Sequence, residues 1–394
     1  MQPIRHHLVA LIALMVGVFS PLAQAEWHGF ASAGAVWFSN DDADYVYNNL
    51  SSGAGHSHTV DWGLDSKLGL QWTSKPTQTM RLNAQTVVAR DAVNHFTPAL
   101  TLANAVFDVN DRFSLTLGRS QNPNFLYSDH RHIHYALPWV RPPREVYGIT
   151  SIFTYDGVQA SIELDRQYDH SVKLIAGVAQ AENSYSFDAG QSNSLLTASD
   201  MLYASLSRQS YDWLFKVSVE MGRLSTHNPL LTQSLGYIAQ SDAALAQRMA
   251  LEGKDYQLMA LGIKYDADDD LLLFELAHRQ ISAYFGQRTG AYVTYGRRLG
   301  VWMPYVTLAR TQTQVDESAN PIAQQLYVSA RDAVTTVTLG SAYELSSRVT
   351  LKAEAQWSQP DANSGWAYAN YQPSYPLAHP SEDVLLSIGV STVF

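Results

Sequence analysis

The sequence predicts an all-β protein, a transmembrane antiparallel β-barrel of sixteen strands. Three observations support this fold class. An export signal opens the chain, the remainder alternates apolar and polar residues in stretch after stretch, and the polar faces of those stretches carry charges of both signs. A packed soluble core would not tolerate so many charges, whereas a water-filled interior would.

The first segment, Met1 to Ala25, reads as a secretory signal peptide. Arg5 makes a cationic start, Leu8 to Phe19 is apolar, and Ala23 to Ala25 is a small-x-small cleavage site. The apolar run is shorter than the ~20 residues that a membrane-spanning helix needs. We therefore expect export with cleavage after Ala25, and a single barrel domain over residues 26–394.

The composition excludes several kinds of protein. The chain has no cysteine, so disulfides, thiolate metal sites and cysteine catalysis are excluded. A net charge of −10 argues against nucleic acid as a partner. No further apolar run is long enough for a membrane helix, so any membrane insertion has to occur through a closed β-barrel.

The clearest two-faced stretch runs from Trp62 to Trp72. Its apolar side chains alternate with Asp61, Asp65 and Lys67, which point the other way. The two tryptophans lie ten residues apart, close to the length of a tilted transmembrane strand, ~9–11 residues. Aromatic ends with an aliphatic middle are typical of lipid-facing strands.

Counting such stretches gives sixteen, an even number as bacterial outer-membrane-type barrels require, with fourteen and eighteen as the alternatives if strand boundaries shift by a few residues. The predicted strands are 27–38, 60–73, 77–90, 99–109, 111–119, 157–166, 171–179, 200–208, 212–222, 255–266, 270–280, 288–298, 302–313, 334–345, 348–358 and 382–394. Short turns and long loops alternate along the whole chain only if residues 149–155 belong to a loop. Tyr237 to Leu251 is the one helical pattern, inside a long loop.

The long insert after the fifth strand, residues 120–156, is rich in proline, histidine and arginine and has no strand pattern. We expect it to fold into the lumen and narrow it. The predicted constriction residues are Asp129, His130, Arg131, His132, His134, Arg141, Arg144 and Glu145. Side-chain parity predicts a charged pore wall formed by Lys67, Arg81, Glu163, Asp165, Lys173, Lys216, Glu220, Arg279, Arg298, Lys352 and Glu354.

Several roles remain open for the insert. The histidines at 130, 132 and 134 alternate, so an extended segment would place them on one face, where they could bind zinc with Asp129. They could equally titrate near pH 6.5, or simply line a wet loop. Arg144 could meet the permeant solute or pair with the wall. We expect the plain lining role, with no metal and no cofactor.

An enzyme is not expected. Barrel hydrolases need an Asp–His or Ser–His pair within hydrogen-bond reach. The chain offers Asp129-His130 and Asp169-His170, but neighbours on a strand face opposite ways.

Taken together, four features resemble the sixteen-stranded porins of the Gram-negative outer membrane. They are the signal peptide, the aromatic-ended strands, the long insert after the fifth strand, and the closing strand, in which Ile388 and Val390 precede a terminal Phe394. The segment RPPREVYG at 141–148 is similar to one that follows the inserted loop in gammaproteobacterial porin-like proteins.

The resemblance implies a passive channel in the outer membrane, surrounded by lipid and lipopolysaccharide, usually a homotrimer, with its third outer loop folded inward. It also implies that Phe394 is read by the barrel-insertion machinery. In the best-known general porins the inserted loop is usually acidic. Here it carries three arginines, Arg131, Arg141 and Arg144, beside Asp129 and two further acids, so its charge is mixed. Cation preference is therefore not carried over.

The expected function is passive diffusion of small hydrophilic solutes and ions through a water-filled channel, with selectivity set by the insert. The alternative within this class is a substrate-selective channel for a small anionic or carbohydrate solute. A different class, an adhesin or structural barrel with a sealed lumen, would need bulky apolar side chains facing inward, and the polar strand faces argue against it.

Overall fold

The computed structural model describes residues 25–47, 50–167, 169–186, 193–361, 364, 368–369 and 382–394. Sixteen long strands make up most of this part of the chain. They are β1 (Ala25–Phe38), β2 (Lys67–Thr77), β3 (Met80–Arg90), β4 (Phe96–Asn110), β5 (Phe113–Gln121), β6 (Thr154–Arg166), β7 (His170–Ser186), β8 (Asn193–Ser210), β9 (Trp213–His227), β10 (Lys254–Ala267), β11 (Asp270–Ile281), β12 (Gln287–Arg297), β13 (Trp302–Gln314), β14 (Ala333–Ser346), β15 (Val349–Pro360) and β16 (Asp383–Val393).

The strands close into a barrel. Each pairs antiparallel with its neighbours in the chain, and β1 pairs with both β2 and β16, so no edge remains open among the described strands. Representative pairs at the closure are Ala35 with Ile388 and Ala31 with Leu68. The predicted fold class and strand number are confirmed. Among the described residues, no helix is both long and apolar enough to cross a bilayer.

The outward face of the barrel is apolar. Its strands expose large aliphatic side chains that a soluble protein would bury, among them Leu68, Leu70, Leu100, Leu117, Val158, Val178, Leu202, Leu206, Val217, Met259, Leu308, Leu339 and Ile388. Near the short turns, aromatic rings pack on one another, as in the pairs Trp213–Tyr265 and Trp302–Tyr343, with centroids 4.7 and 4.5 Å apart. An aliphatic band edged by aromatic rings is the surface that a transmembrane barrel presents to lipid.

The predicted strand 60–73 is wrong in its first half. Val60–Asp61 forms a separate two-residue strand against β1, and β2 begins only at Lys67. Between them, the Asp61 carboxylate accepts hydrogen bonds from the backbone N–H groups of Gly63 and Leu64, both at 2.8 Å. This side chain supplies the backbone with partners that a strand ladder would otherwise provide, so Asp65 lies in a loop.

The insert occupies residues 122–153, slightly less than predicted, because β5 ends at Gln121 and β6 begins at Thr154. The residues 149–153 are loop, as the parity of turns and loops required, but 154–156 belong to a strand. A bidentate cross-strand pair between Arg119 and Asp156 holds that end, with N–O distances of 2.8 and 2.6 Å.

The insert contains little regular structure. It holds two 3₁₀ turns, Ser128–His130 and His134–Ala136, and one helical turn, α1 (Arg144–Tyr147). The alternation of the three histidines therefore does not place them on a single extended face.

The helical pattern at 237–251 corresponds to two helices, α2 (Pro229–Ala239) and α3 (Ala243–Met249). The chain breaks there because Asp242 starts a new helix, its carboxylate accepting from the Leu245 N–H at 2.8 Å. A further helix, α4 (Pro321–Ala330), was not predicted. Its start carries a visible signal, since Pro321 follows Asn320, whose side chain caps two N–H groups. The three helices pack together around Tyr284.

The lipid-facing assignment predicts a depth-dependent cost of charge. Val217 lies mid-strand on the outer face, whereas Leu345 lies on the same face beside a short turn. Val217→Arg should lower the free energy of unfolding by about 2–4 kcal/mol, and Leu345→Arg by about 1 kcal/mol or less. Denaturant titration of both variants refolded into lipid vesicles measures this. Equal costs at the two positions would contradict the assignment.

Candidate functional site

The insert lies against one side of the barrel interior, along the inner faces of β9 to β16. The insert backbone packs closely on Gly290 of β12, where an added Cβ would stand 1.9 Å from the carbonyl oxygen of Glu145. Only glycine leaves room for α1 at this position. The position of α1 inside the barrel thus requires a residue without a side chain at this point of the wall.

Three wall carboxylates hold the backbone and the amide side chains of the insert. Glu354 accepts from the Val140 N–H at 2.9 Å, and Glu275 accepts from the Leu126 N–H at 2.7 Å. Glu220 accepts from the Asn122 amide at 3.1 Å. Each carboxylate also accepts from a tyrosine hydroxyl, the donors being Tyr305, Tyr292 and Tyr155 respectively. The three acids are buried and act as fixed acceptors.

Two wall lysines serve the carbonyl groups of the insert. Lys216 donates to the carbonyl oxygen of Phe125 at 2.8 Å. Lys352 donates to the carbonyl of Trp139 at 3.1 Å and to two further carbonyls of the insert. Predicted wall residues of both charge signs therefore hydrogen-bond to the insert and are not free to contact a solute.

Arg141 forms the strongest single tie. Its guanidinium pairs with both carboxylate oxygens of Asp65 at 3.0 and 2.6 Å and donates to the Ser387 hydroxyl at 2.7 Å. Both charged side chains are about 95% buried or more. A bidentate pair of this kind fixes direction as well as position.

Arg144 and Glu145 are pinned to the wall as well, which favours the pairing role over solute contact. Arg144 lies 3.4 Å from Asp332, and Glu145 accepts from the Thr336 hydroxyl at 2.9 Å. Burial raises the pKa of the Glu145 carboxyl. Neither of the two residues lines the larger cavity of about 480 Å³ beside the insert.

A cavity of about 480 Å³ remains between the insert and the opposite wall. The insert contributes Arg131, His132, His134 and Arg141, all predicted constriction residues. The wall contributes residues of β2, β3, β4 and β7, including Lys67, Val87, Ala89, Thr97, Thr101 and Asn183. Asp129 and His130 are exposed but do not line this cavity.

The cations of this cavity fall into two groups. Arg90 and Arg141 are neutralised by Asp61 and Asp65, at 2.5 and 2.6 Å. The side chains of Lys67 and Arg131, in contrast, have no ion pair or hydrogen bond within the described part of the chain.

The side of the cavity that the insert forms carries a positive charge, because no acid that lines the cavity forms an ion pair with Arg131 among the described residues. The Arg131 guanidinium stacks 3.2 Å from the centroid of the Phe153 ring, which holds it in place without neutralising it. Of the acids that line the cavity, Asp91 turns into its own loop, where it accepts from the Val93 and His95 N–H groups. Glu182 lies within electrostatic reach of Arg119.

Two of the three histidines are unsuited to switching near neutral pH. Burial lowers the pKa of both His132 and His134 well below 6.5. The charges of Arg131 and Lys67 add to this effect at His132, and those of Lys67, Lys352 and Arg141 at His134. Both rings are therefore neutral at physiological pH. Within the described residues, no group of three potential metal-binding side chains lies together.

The other predicted wall charges occupy varied positions. Arg81 pairs with Asp108 at 3.2 Å, Glu163 with Arg166 at 3.3 Å, and Arg298 with Asp266 at 2.6 Å. Lys173 is exposed, and Arg279 donates to the Ile149 carbonyl of the insert at 3.2 Å. The pairing of β6 with β7 shifts by one residue here, since Val172 pairs with Asp165 but Lys173 pairs with Glu163. Side-chain alternation along β6 is interrupted at this point, so it does not place Asp165 in the lumen. Phe394 closes the barrel through paired backbone bonds with Gly29 at 2.7 and 2.9 Å.

Sequence reasoning missed a polar ladder on the wall opposite the insert. Gln85 donates to Gln71 at 2.9 Å and accepts from Thr101 at 2.8 Å, while Asn83 donates to Asn104 at 3.0 Å. These amides occupy the polar positions of alternating strands, so side-chain parity places them on the wall, whereas the predicted pore wall contains only charged residues.

The fold is similar to that of solved outer-membrane proteins. An anion-selective porin from Comamonas acidovorans aligns with a TM-score of 0.57 at 11% identity, over 94% of this chain and 100% of that one. Salmonella typhi OmpF in complex with daunomycin aligns with a TM-score of 0.56 at 10% identity, over 94% of this chain and 97% of that one. Outer-membrane expressed OmpT of Vibrio cholerae aligns with a TM-score of 0.54 at 12% identity, over 95% of this chain and 99% of that one. No family model and no curated protein matches. The chain therefore has a porin-like fold, a closed barrel of sixteen described strands.

The Arg141–Asp65 pair predicts a large effect of removing one partner. Asp65→Asn leaves a buried guanidinium unneutralised, so the free energy of unfolding should fall by about 3–5 kcal/mol. Asp361→Asn is the matched control, because Asp361 pairs with Arg310 at 2.8 Å on the exposed surface, where the expected loss is about 1 kcal/mol or less. Denaturant unfolding in detergent measures both; similar losses would show that the buried pair does not hold the insert.

The lowered histidine pKa values predict how stability depends on pH. Below about pH 6.5 the unfolded chain binds protons that folded His132 and His134 do not. The free energy of unfolding should therefore fall as the pH drops from 7 to 5, and it should fall less steeply in the double variant His132→Gln/His134→Gln. Unfolding titrations at a series of pH values test this, and identical slopes would contradict it.

Proposed function

We propose that this protein is a porin of the Gram-negative outer membrane, a water-filled channel through which small hydrophilic solutes and ions diffuse passively. The proposal is supported above all by the division of the barrel interior. The insert fills one side and is tied to β9–β16, while a cavity of about 480 Å³ with polar and charged walls remains on the other side. A sealed adhesin-type barrel would fill that space with apolar side chains.

We further propose that the constriction favours small anions. Lys67 and Arg131 face the cavity without ion-pair partners among the described residues, whereas Arg90 and Arg141 have theirs. Fixed charges at a narrow passage select permeating ions by sign. The similarity in fold to a porin named as anion-selective agrees with this assignment.

The expected selectivity is moderate. A unit charge acting on an ion about 4 Å away contributes roughly 1 kcal/mol in water and about 4 kcal/mol at the effective dielectric of a protein surface. Salt screens such interactions over about 8 Å at physiological ionic strength. Because the insert is held by buried contacts, the two charges keep their places as ions pass, and the preference should weaken as salt rises.

The proposal includes the partners expected from the sequence. Lipid and lipopolysaccharide would cover the exposed aliphatic band, and two further copies of the chain would complete a homotrimer. Phe394, at the seam of the barrel, would be read by the insertion machinery. Size exclusion with light scattering in mild detergent measures the number of copies.

Planar bilayer recordings test the channel and its selectivity together. The wild type should show discrete conductance steps, and its reversal potential in a salt gradient should indicate anion preference. Lys67→Gln/Arg131→Gln should retain the steps and shift the reversal potential towards cations. Lys75→Gln/Arg112→Gln is the matched control, since it removes two exposed cations near the short turns and should leave the reversal potential unchanged.

The two parts of the proposal fail separately. Absence of conductance steps in the wild type would overturn the channel. Steps with a cation preference, or with a reversal potential that the Lys67/Arg131 variant does not alter, would overturn anion selection and leave the channel standing.

A further inference from the structure

A second, smaller cavity lies behind the insert, away from the proposed path of the ions. Its volume is about 60 Å³, and it separates the last residues of the insert from the inner faces of β8 to β11. Apolar side chains form most of its lining. The polar ones are Thr150, Ser151, Tyr185, Tyr256 and Arg279.

Arg279 is the unusual member of this lining. Its side chain is buried, the residue being 8% exposed, yet no carboxylate pairs with it among the described residues. Two guanidinium nitrogens donate to the carbonyl oxygens of Ile149 and Phe285, at 3.2 and 3.4 Å. The third nitrogen, Nε, is buried without an acceptor in the described part of the chain.

The buried charges around Arg279 do not balance. Three guanidinium groups, those of Arg144, Arg279 and Arg288, share two carboxylates, those of Glu145 and Asp332. Oδ2 of Asp332 lies 2.5 Å from Arg288 and 3.4 Å from Arg144, so this carboxylate pairs with two other arginines and forms no ion pair with Arg279 among the described residues.

The other two acids near this group do not relieve the imbalance. The carboxylate of Glu145 accepts from Thr336. The next acid, Glu220, accepts from Asn122 and Tyr155 and pairs with no arginine among the described residues. Among the described residues the Arg279 guanidinium therefore has no carboxylate partner, and an isolated buried charge is costly unless a counter-charge accompanies it.

The cavity also offers a neutral donor. The Thr150 hydroxyl oxygen accepts from the Ile152 N–H at 3.1 Å and from the Tyr256 hydroxyl at 3.2 Å. With both lone pairs used, the hydroxyl proton of Thr150 remains to be donated. A guanidinium N–H and a hydroxyl at the same cavity form a donor set suited to an anion.

We propose that this cavity binds a small monovalent inorganic anion, chloride in the cell's surroundings, as the counter-ion of Arg279. The volume suits this class, because one water molecule needs roughly 10–15 Å³ of such space. A halide with a water or two fits, whereas a sugar or a nucleotide does not. The bound ion would fasten residues 149–152 to the wall and so stabilise the end of the insert.

Bromide, a heavier halide with an anomalous signal, tests occupancy directly. In crystals of the wild type grown in sodium bromide, an anomalous peak is expected beside Nε of Arg279. Arg279→Gln removes the charge, and the peak should vanish. Thr150→Val keeps the charge but removes the hydroxyl donor, and the peak should weaken. Arg310→Gln, which removes an exposed arginine, should leave it unchanged.

Thermal unfolding in solution gives a second readout. At constant ionic strength, replacing gluconate by chloride should raise the Tm of the wild type and of Arg310→Gln by a few degrees, and the rise should saturate. Arg279→Gln should show no such dependence.

Absence of an anomalous peak in the wild-type cavity would overturn the proposal, even if Arg279→Gln does not fold. An equal chloride dependence in wild type and Arg279→Gln would overturn it as well. Neither measurement depends on conductance, so the test is independent of the proposed channel function.

Discussion

The constraint on which the rest of the structure depends is the hydrogen bonding of a polypeptide segment placed inside a barrel. The insert carries backbone N–H and C=O groups that need partners once water is displaced. The wall supplies them from charged side chains, acceptors from Glu275 and Glu354 and donors from Lys216 and Lys352. The loop is thereby fixed as firmly as a strand, although it contains almost no regular structure.

This use of charge determines what is left for function. Five of the eleven predicted wall charges hold the insert, and the pair of Arg141 with Asp65 does the same. Two cations at the large cavity, Lys67 and Arg131, are not occupied in this way. The anion preference that we propose rests on these two side chains, and its sign need not follow the net charge of −10.

Buried ion pairs of this kind add little net stability, because desolvation offsets much of the attraction between the charges. They do make alternative positions of the loop costly, since any shift leaves a buried charge without its partner. The same reasoning applies to Arg279, whose charge has no carboxylate partner in the described chain and sits beside a cavity of anion size. The fixed position of the insert and the anion binding that we propose thus share one cause, the burial of charge inside the barrel.

What the sequence determined by itself was local: the period-two strands, their number, the side on which the long loops lie, and the existence and position of the insert. Side-chain alternation is a property of neighbouring residues, so it can be read without a fold. The alternation gave a wrong strand where the Asp61 side chain, instead of a neighbouring strand, bonds to the backbone. It also misplaced side chains where the strand register shifts beside Asp165. Only the tertiary structure decided which charges hold the insert and which remain beside the cavity. The partners lie far apart in the chain, 76 residues for Arg141 and Asp65 and 214 for Val140 and Glu354, and no local pattern relates residues that meet only when the barrel closes.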